Sequence, residues 1–97
     1  MDPLASSVRS ILEVVNTKLS KQLEQLCASY GGQHVEEAFL FHVDQHGFDV
    51  MGKKTEKKDG REQWIEFRFP VSEELLDKEM AVAAIMEAAS SGASVNE

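Results

Sequence analysis

The segment Asp44–Gly47, with the sequence Asp-Gln-His-Gly, lies between two short apolar runs and constrains the fold more than any other feature of the chain. Aspartate is favoured at the first position of a type I turn, and glycine at the last, where a positive φ costs a residue without Cβ little. Strand-forming side chains stand on both sides, with Phe41 and Val43 before the turn and Phe48 and Val50 after it. The pattern therefore predicts a β-hairpin.

A long helix is expected before the hairpin. Apolar residues recur in steps of three and four from Leu4 to Tyr30, and Gly31-Gly32 is a natural end for this helix. At 1.5 Å per residue the helix would measure about 40 Å, which is long for a domain of this size. We therefore expect its first turns either to extend beyond the domain or to be covered by a partner.

A third strand and a second helix are expected after the hairpin. Strict alternation over residues 64–69 predicts a strand that Pro70 ends, and Ser72 is the expected N-cap of a helix that closes at residues 90–92. The expected fold class is α+β, in the order helix, three-stranded antiparallel meander, helix. Because each helix must bury its apolar stripe, both helices are expected on one sheet face.

The alternation also divides the sheet residues between two faces. The face that packs on the helices is expected to hold Phe39, Phe41, Val43, Phe48, Val50, Ile65, Phe67 and Phe69. The opposite face is expected to hold Leu40, His42, Asp49, Met51, Trp64, Glu66 and Arg68. A mixed patch with Trp and Met suits a protein interface or self-association, and an ordinary half-polar sheet face is the alternative. The candidate partner-binding residues are Leu40, His42, Met51, Trp64 and Arg68.

Length and charge restrict the function classes. Ninety-seven residues predict one αβββα domain over residues 1–90, followed by a disordered tail at 91–97. Seventeen acidic and ten basic residues give a net charge of −7, which disfavours general attraction to nucleic acid or anionic membranes. The chain lacks a membrane-length apolar run and a signal-peptide pattern, and it has one cysteine. It is expected in the cytoplasm, or in an organelle stroma if it is a processed fragment.

No set of acid, base and nucleophile converges in the sequence, so we expect neither an enzyme nor a cofactor. His42, Asp44 and His46 have a spacing that would align three metal ligands on a straight strand, but the turn interrupts that strand. Asp44 is better explained by a local hydrogen bond to the turn backbone, and no metal site is expected. Cys27 falls on the apolar stripe of the first helix and is expected to act as a small hydrophobe.

Half of the basic residues lie in one short segment of an otherwise acidic chain. This basic hairpin tip consists of Lys53, Lys54, Lys57, Lys58 and Arg61. Contact with phosphate, RNA or an acidic protein surface is one interpretation. A solvated turn whose lysines prevent pairing of strand edges is the favoured one, because acidic residues dilute the charge and no aromatic residue lies in the loop to stack on bases.

The motifs together resemble one known family, over about residues 8 to 90. These motifs are Asn16, the Asp44 and Gly47 pair, Phe69-Pro70, and Met86 with Ala89. They resemble the small C-terminal domain of HugZ-type haem-utilisation proteins, which also occurs in plant glutamyl-tRNA reductase-binding proteins. The family's first helix carries two histidines and an aspartate, whose places are taken here by Val14, Lys18 and Leu19. The resemblance implies a link to haem or tetrapyrrole metabolism, but the missing motif and the absent barrel domain argue against haem as a bound cofactor.

These observations favour a non-enzymatic interaction module that binds a protein partner or forms a homodimer. The resemblance adds the link to haem or tetrapyrrole metabolism. An acidic adaptor or chaperone is one alternative, and RNA contact through the basic hairpin tip is another.

Overall fold

Three helices lie on one face of a three-stranded antiparallel sheet. The computed structural model describes residues 2–95, with side chains described for residues 2–90. The elements are α1 (Val8–Lys18), α2 (Ser20–Ser29), β1 (Glu37–Asp44), β2 (Gly47–Thr55), β3 (Glu62–Pro70) and α3 (Lys78–Val95). The strands form a meander in the order β1-β2-β3, α1 and α2 contact β1, and α3 packs on α1 and α2. The predicted α+β fold, with helices on one sheet face, is confirmed. Within the described residues, no helix is long and apolar enough to span a membrane.

The single long helix predicted at the N-terminus is divided at Leu19, which has φ −119° and ψ 22°. No proline or glycine lies there, so tertiary packing rather than local propensity causes the break. The division lets Leu4 and Ile11 on one side, and Leu23 and Leu26 on the other, all reach the core. Because Leu4 is fully buried, the first turns neither extend beyond the domain nor need a partner to cover them, and that expectation was wrong.

The pairing of β1 with β2 contains an irregularity that the sequence pattern did not reveal. Leu40 pairs with Val50, but the next pair is His42 with Asp49, so Phe41 is an extra residue in β1. Such a bulge shifts the alternation of side chains along the strand. As a result, Leu40 lies on the inner face with 1% of its surface exposed, whereas Phe39 points to the outer face.

The predicted division of the sheet residues is therefore wrong for part of β1 and right for the other strands. Phe39 is exposed and Phe41 only half-buried, so neither belongs to the buried core in which we placed them. The remaining predicted inner residues are buried or half-buried, namely Val43, Phe48, Val50, Ile65, Phe67 and Phe69. They pack in one core with residues of the helices, including Ile11, Val15, Leu23, Leu26 and Ile85.

The predicted hairpin forms at Asp44–Gly47, but its glycine is required for a different reason from the one expected. Gly47 does not have a positive φ; Gly32 and Gly60 do. A Cβ on Gly47 would lie 2.5 Å from the carbonyl oxygen of Phe69 and 3.0 Å from Cα of Pro70. Glycine is therefore needed because the β3 backbone passes so close to the turn. The carboxylate of Asp44 accepts a hydrogen bond from the His46 N–H at 2.8 Å, as predicted for an Asx-type turn.

The last helix begins later than predicted. Asp77, and not Ser72, caps α3, since its carboxylate accepts a hydrogen bond from the N–H of Met80 at 2.8 Å. Leu75 in the preceding loop is buried, while Leu76 is exposed. The helix continues to Val95, past the end predicted at residues 90–92. The predicted disordered tail at 91–97 lies outside the residues whose side chains are described.

Candidate interaction surface

The outer face of the sheet has an aromatic centre. Phe39 on β1 and Trp64 on β3 are 39% and 49% exposed, and their rings meet edge to face with centroids 5.5 Å apart. Met51 lies on the central strand, in register with Phe39 on one side and Glu66 on the other. Among the described residues, no helix covers these side chains, because α1 and α2 contact β1 from the inner face and α3 packs on α1 and α2. The sheet therefore presents aromatic surface to solvent in a form that suits association.

One end of this face carries an ion-pair cluster centred on Lys53. Its ammonium lies 2.5 Å from a carboxylate oxygen of Glu37 and 3.8 Å from one of Glu62. The hydrogen bond to Glu37 is the main reason that the pKa of Lys53 is raised above its ordinary value. Lys53 thus belongs to the rim of the outer face and is already neutralised by its neighbours.

The other end of the face carries a second cluster, centred on Arg68. Its guanidinium donates to both carboxylate oxygens of Asp44, at 3.0 and 3.2 Å, and to Asp49 at 3.0 Å. These contacts hold the pKa of Asp44 below its ordinary value, with the hydrogen bond from Arg68 as the largest cause, and they raise the pKa of Arg68. His42 lies beside the cluster, with Nε2 3.8 Å from Asp44. The strand register brings these groups together, because His42, Asp49 and Arg68 are cross-strand partners.

The outer face is acidic in total. Its carboxylates are Glu37, Asp44, Asp49, Glu62 and Glu66, and its cations are Lys53 and Arg68. Without counting His42, the face carries three more negative charges than positive ones. Its polar rim is therefore suited to a basic surface.

Four of the five candidate partner-binding residues lie on this face, namely His42, Met51, Trp64 and Arg68. Leu40 does not, because the bulge turns it into the core. Phe39 takes its place as the second aromatic residue of the face, and the sequence analysis missed it. No turn residue or break in the apolar run marks the bulge, so the sequence held no signal for this exchange.

The basic hairpin tip is partly engaged within the chain. Lys53 pairs with Glu37, Lys54 donates to the side chain of Gln33 at 3.1 Å, and Arg61 lies 3.6 Å from Asp59. Lys57 and Lys58 are exposed at the turn. The five residues therefore do not form one continuous cationic patch.

The predicted turn role of Asp44 accounts for its surroundings. Both of its oxygens bond Arg68, one of them also accepts from the turn backbone, and His46 is exposed at the turn. Among the described residues, no group of three or more His, Cys, Asp and Glu side chains could hold a metal ion. Cys27 is fully buried, and burial together with the nearby Glu24 charge raises its pKa to about 11.

A groove opens on the other side of the sheet, beneath β3. It has a volume of about 450 Å³ and is lined mainly by apolar side chains, including Tyr30, Phe67, Phe69, Pro70 and Ala88. The rings of Phe67 and Phe69 stack with an interplanar angle of 9°. Gly31 lets the Phe67 ring approach α2, because a Cβ there would collide with that ring. The groove therefore continues the core to the surface beside β3.

Comparison with known proteins identifies a shared fold. No protein-family model matches the chain, and no curated protein matches it. Among solved structures, the chain is similar to a haem-binding protein from Mycobacterium smegmatis, with a TM-score of 0.78 and 17% sequence identity. The match covers 96% of this chain and 36% of that protein. The chain therefore has the fold of about one third of that haem-binding protein, which agrees at the level of the fold with the resemblance to haem-utilisation proteins.

Proposed function

We propose that this chain is a non-enzymatic interaction module that serves haem or tetrapyrrole handling by binding a protein partner through its outer face. The observation that carries the proposal is the exposed Phe39–Trp64 pair on a sheet face that no helix covers. Protein interfaces commonly have an aromatic centre within a polar rim, and exposed aromatic residues are frequent sites of strong binding. The ion-pair clusters of Lys53 and Arg68 supply such a rim on both sides of the pair.

Charge favours a partner with a basic rim over a second copy at this face. Two copies joined face to face would bring two acidic surfaces together, and like charges across an interface oppose association. A partner with an apolar centre surrounded by Lys and Arg side chains would meet the exposed carboxylates of Glu37, Glu62 and Glu66. Such a complex should form faster at low salt than at high salt.

The link to haem is supported by the similarity to a haem-binding protein, of which this chain spans 36%. We propose that the haem is held by the partner and that this chain supplies the contact surface. Titration of the isolated chain with haemin, followed by absorbance, should then give no stoichiometric spectral change. A saturable one-to-one change would contradict this division of roles, although it would leave the contact surface untested.

Direct binding with matched variants tests the surface itself. A partner would first be purified with the chain from its native source, identified and prepared alone, and its dissociation constant then measured by calorimetry. Phe39→Ser should weaken binding at least tenfold, whereas Leu76→Ser should leave it unchanged, because Leu76 is also exposed but lies on the loop before α3. Equal effects of the two variants, or none, would contradict the proposed surface.

A further inference from the structure

The strand β3 forms an open edge of the sheet. It is the last strand in the order β1-β2-β3, so no strand lies beside it in the described part of the chain. Its pairing with β2 runs without interruption from Gly47 with Pro70 to Thr55 with Glu62. A long, regular edge of this kind is a template for a further strand unless the protein protects it.

Two hydrogen bonds at the ends of the ladder show which groups of β3 face outward. Glu56 N–H donates to the Arg61 carbonyl at 2.8 Å, and Val71 N–H donates to the His46 carbonyl at 3.0 Å. In an antiparallel ladder, alternate residues direct both main-chain groups to the same neighbour. The odd-numbered residues from 61 to 71 therefore bond β2. The N–H and C=O groups of Trp64, Glu66 and Arg68 point to the open edge.

The opposite edge of the sheet, formed by β1, is partly covered. On β1, the Asn16 side chain bonds both the N–H and the C=O of Leu40, and α1 and α2 pack against the strand. Between Glu62 and Phe69, β3 has no bulge, no lysine and no proline, and its charged residues are Glu62, Glu66 and Arg68. In the described part of the chain, the edge of β3 is thus the more open of the two.

We propose that a second copy of this chain pairs with β3 along this edge, antiparallel and with the two-fold axis beside Phe67. In this register Glu66 of each copy lies opposite Arg68 of the other, and Trp64 lies opposite Pro70. Opposite charges on directly facing residues stabilise a sheet, whereas an axis at Glu66 would place two carboxylates together. The exposed Arg68 guanidinium keeps N–H groups that Asp44 and Asp49 do not use.

The groove beneath β3 accommodates the inner side of the added strand. Inner-face side chains of the second copy would enter beside Phe67 and Phe69, next to the exposed Tyr30. The sheets of two copies would then form one continuous six-stranded sheet. Phe39 on β1 and Met51 on β2 do not belong to the edge strand and would remain open to a partner. The inference therefore goes beyond the proposed function and does not depend on it.

Sedimentation equilibrium of the full chain at 0.15 M salt tests the pairing. We expect a reversible dimer. Glu66→Pro should give a monomer, because the proline ring and the missing N–H affect only the open edge of β3. Glu66→Arg should weaken the dimer at least tenfold, because it places a second positive charge opposite Arg68 of the other copy. Glu62→Arg is the matched control on the same strand and face. In this register residue 62 lies beyond the second copy's strand, so this variant should dimerise like the wild type.

Each outcome decides the proposal. Concentration-dependent protection of the Trp64, Glu66 and Arg68 amides from hydrogen exchange would support it. A wild-type chain that stays monomeric at millimolar concentration would overturn it. So would a dimer whose dissociation constant rises less than tenfold in Glu66→Arg, or one that is lost in Glu62→Arg. Phe39→Ser should not change the dimer, which separates this test from that of the proposed partner.

Discussion

The side-chain amide of Asn16 in α1 forms with Leu40 both hydrogen bonds that a neighbouring strand would otherwise make. Its Nδ2 donates to the Leu40 carbonyl at 2.9 Å, and its Oδ1 accepts from the Leu40 N–H at 2.6 Å. Leu40 is the last regular residue of β1 before the bulge, and its side chain is buried. One amide thus closes the edge of β1 at the point where the strand irregularity would leave backbone groups without partners.

Replacement of this amide should destabilise the domain. Asn16→Ala leaves two backbone groups of Leu40 without their partner in a half-buried site, so we expect a loss of about 1–3 kcal/mol in the free energy of unfolding. Urea titration followed by circular dichroism would measure it. Thr17→Ala, at the next and exposed position of α1, is the control and should change stability by less than about 0.5 kcal/mol. A similar cost for both variants would show that the Asn16 pair has no special role.

Gly47→Ala should be more damaging than Gly60→Ala, although only Gly60 has a positive φ. At Gly47 the new methyl group would press on the Phe69 backbone, which cannot move without disturbing β3, so we expect a cost of about 2–3 kcal/mol. At Gly60, with φ 71°, the methyl group meets open space and only backbone strain of about 1 kcal/mol remains. Thermal or urea unfolding of the two variants would give the order, and the reverse order would contradict the packing argument.

The ion pair between Asp44 and Arg68 should make stability depend on pH in the acid range. Since the pKa of Asp44 is lowered in the folded protein from its ordinary value of 3.8, its contribution is present above that value and is lost as the pH falls through the folded pKa. Asp44→Asn keeps an acceptor for the His46 N–H but removes the charge. We expect it to cost about 1 kcal/mol at pH 7, and the difference from wild type to shrink as the pH falls below 3.8. A difference that stays constant over this range would contradict this role of the charge.

The thiol of Cys27 should be unreactive in the folded protein. Burial, reinforced by the Glu24 charge, raises its pKa to about 11, and the thiolate is the reactive form. Ellman's reagent at pH 8 should therefore modify Cys27 only at the rate of opening of the structure, and at once in 8 M urea. Fast modification without urea would show that α2 opens readily or that the thiol is exposed.

The periodicities of the sequence determined the order of elements and most of the core. The alternation in β3 placed Phe67 and Phe69 inside and Trp64 and Arg68 outside, because successive side chains of a strand point to opposite faces of the sheet. The apolar stripe predicted from Leu4 to Tyr30 contains both α1 and α2, although Leu4 lies in a turn before α1, and Asp44 correctly marked the hairpin. Each of these features depends on interactions between residues close in the chain.

Tertiary structure decided the features that depend on contacts between distant segments. The helix is divided at Leu19, so that the apolar side chains of both α1 and α2 reach the core. The bulge at Phe41 places Leu40 on the inner face of the sheet and Phe39 on the outer face. Asn16 bonds Leu40, which lies 24 positions further along the chain. Gly47 is required because the β3 backbone passes close to it, and not because of the conformation of its own turn. Local propensities cannot encode such choices, since their free energies arise only when the elements pack. The turn at Asp44–Gly47 was therefore readable from the sequence alone, whereas the aromatic centre of the outer face was not.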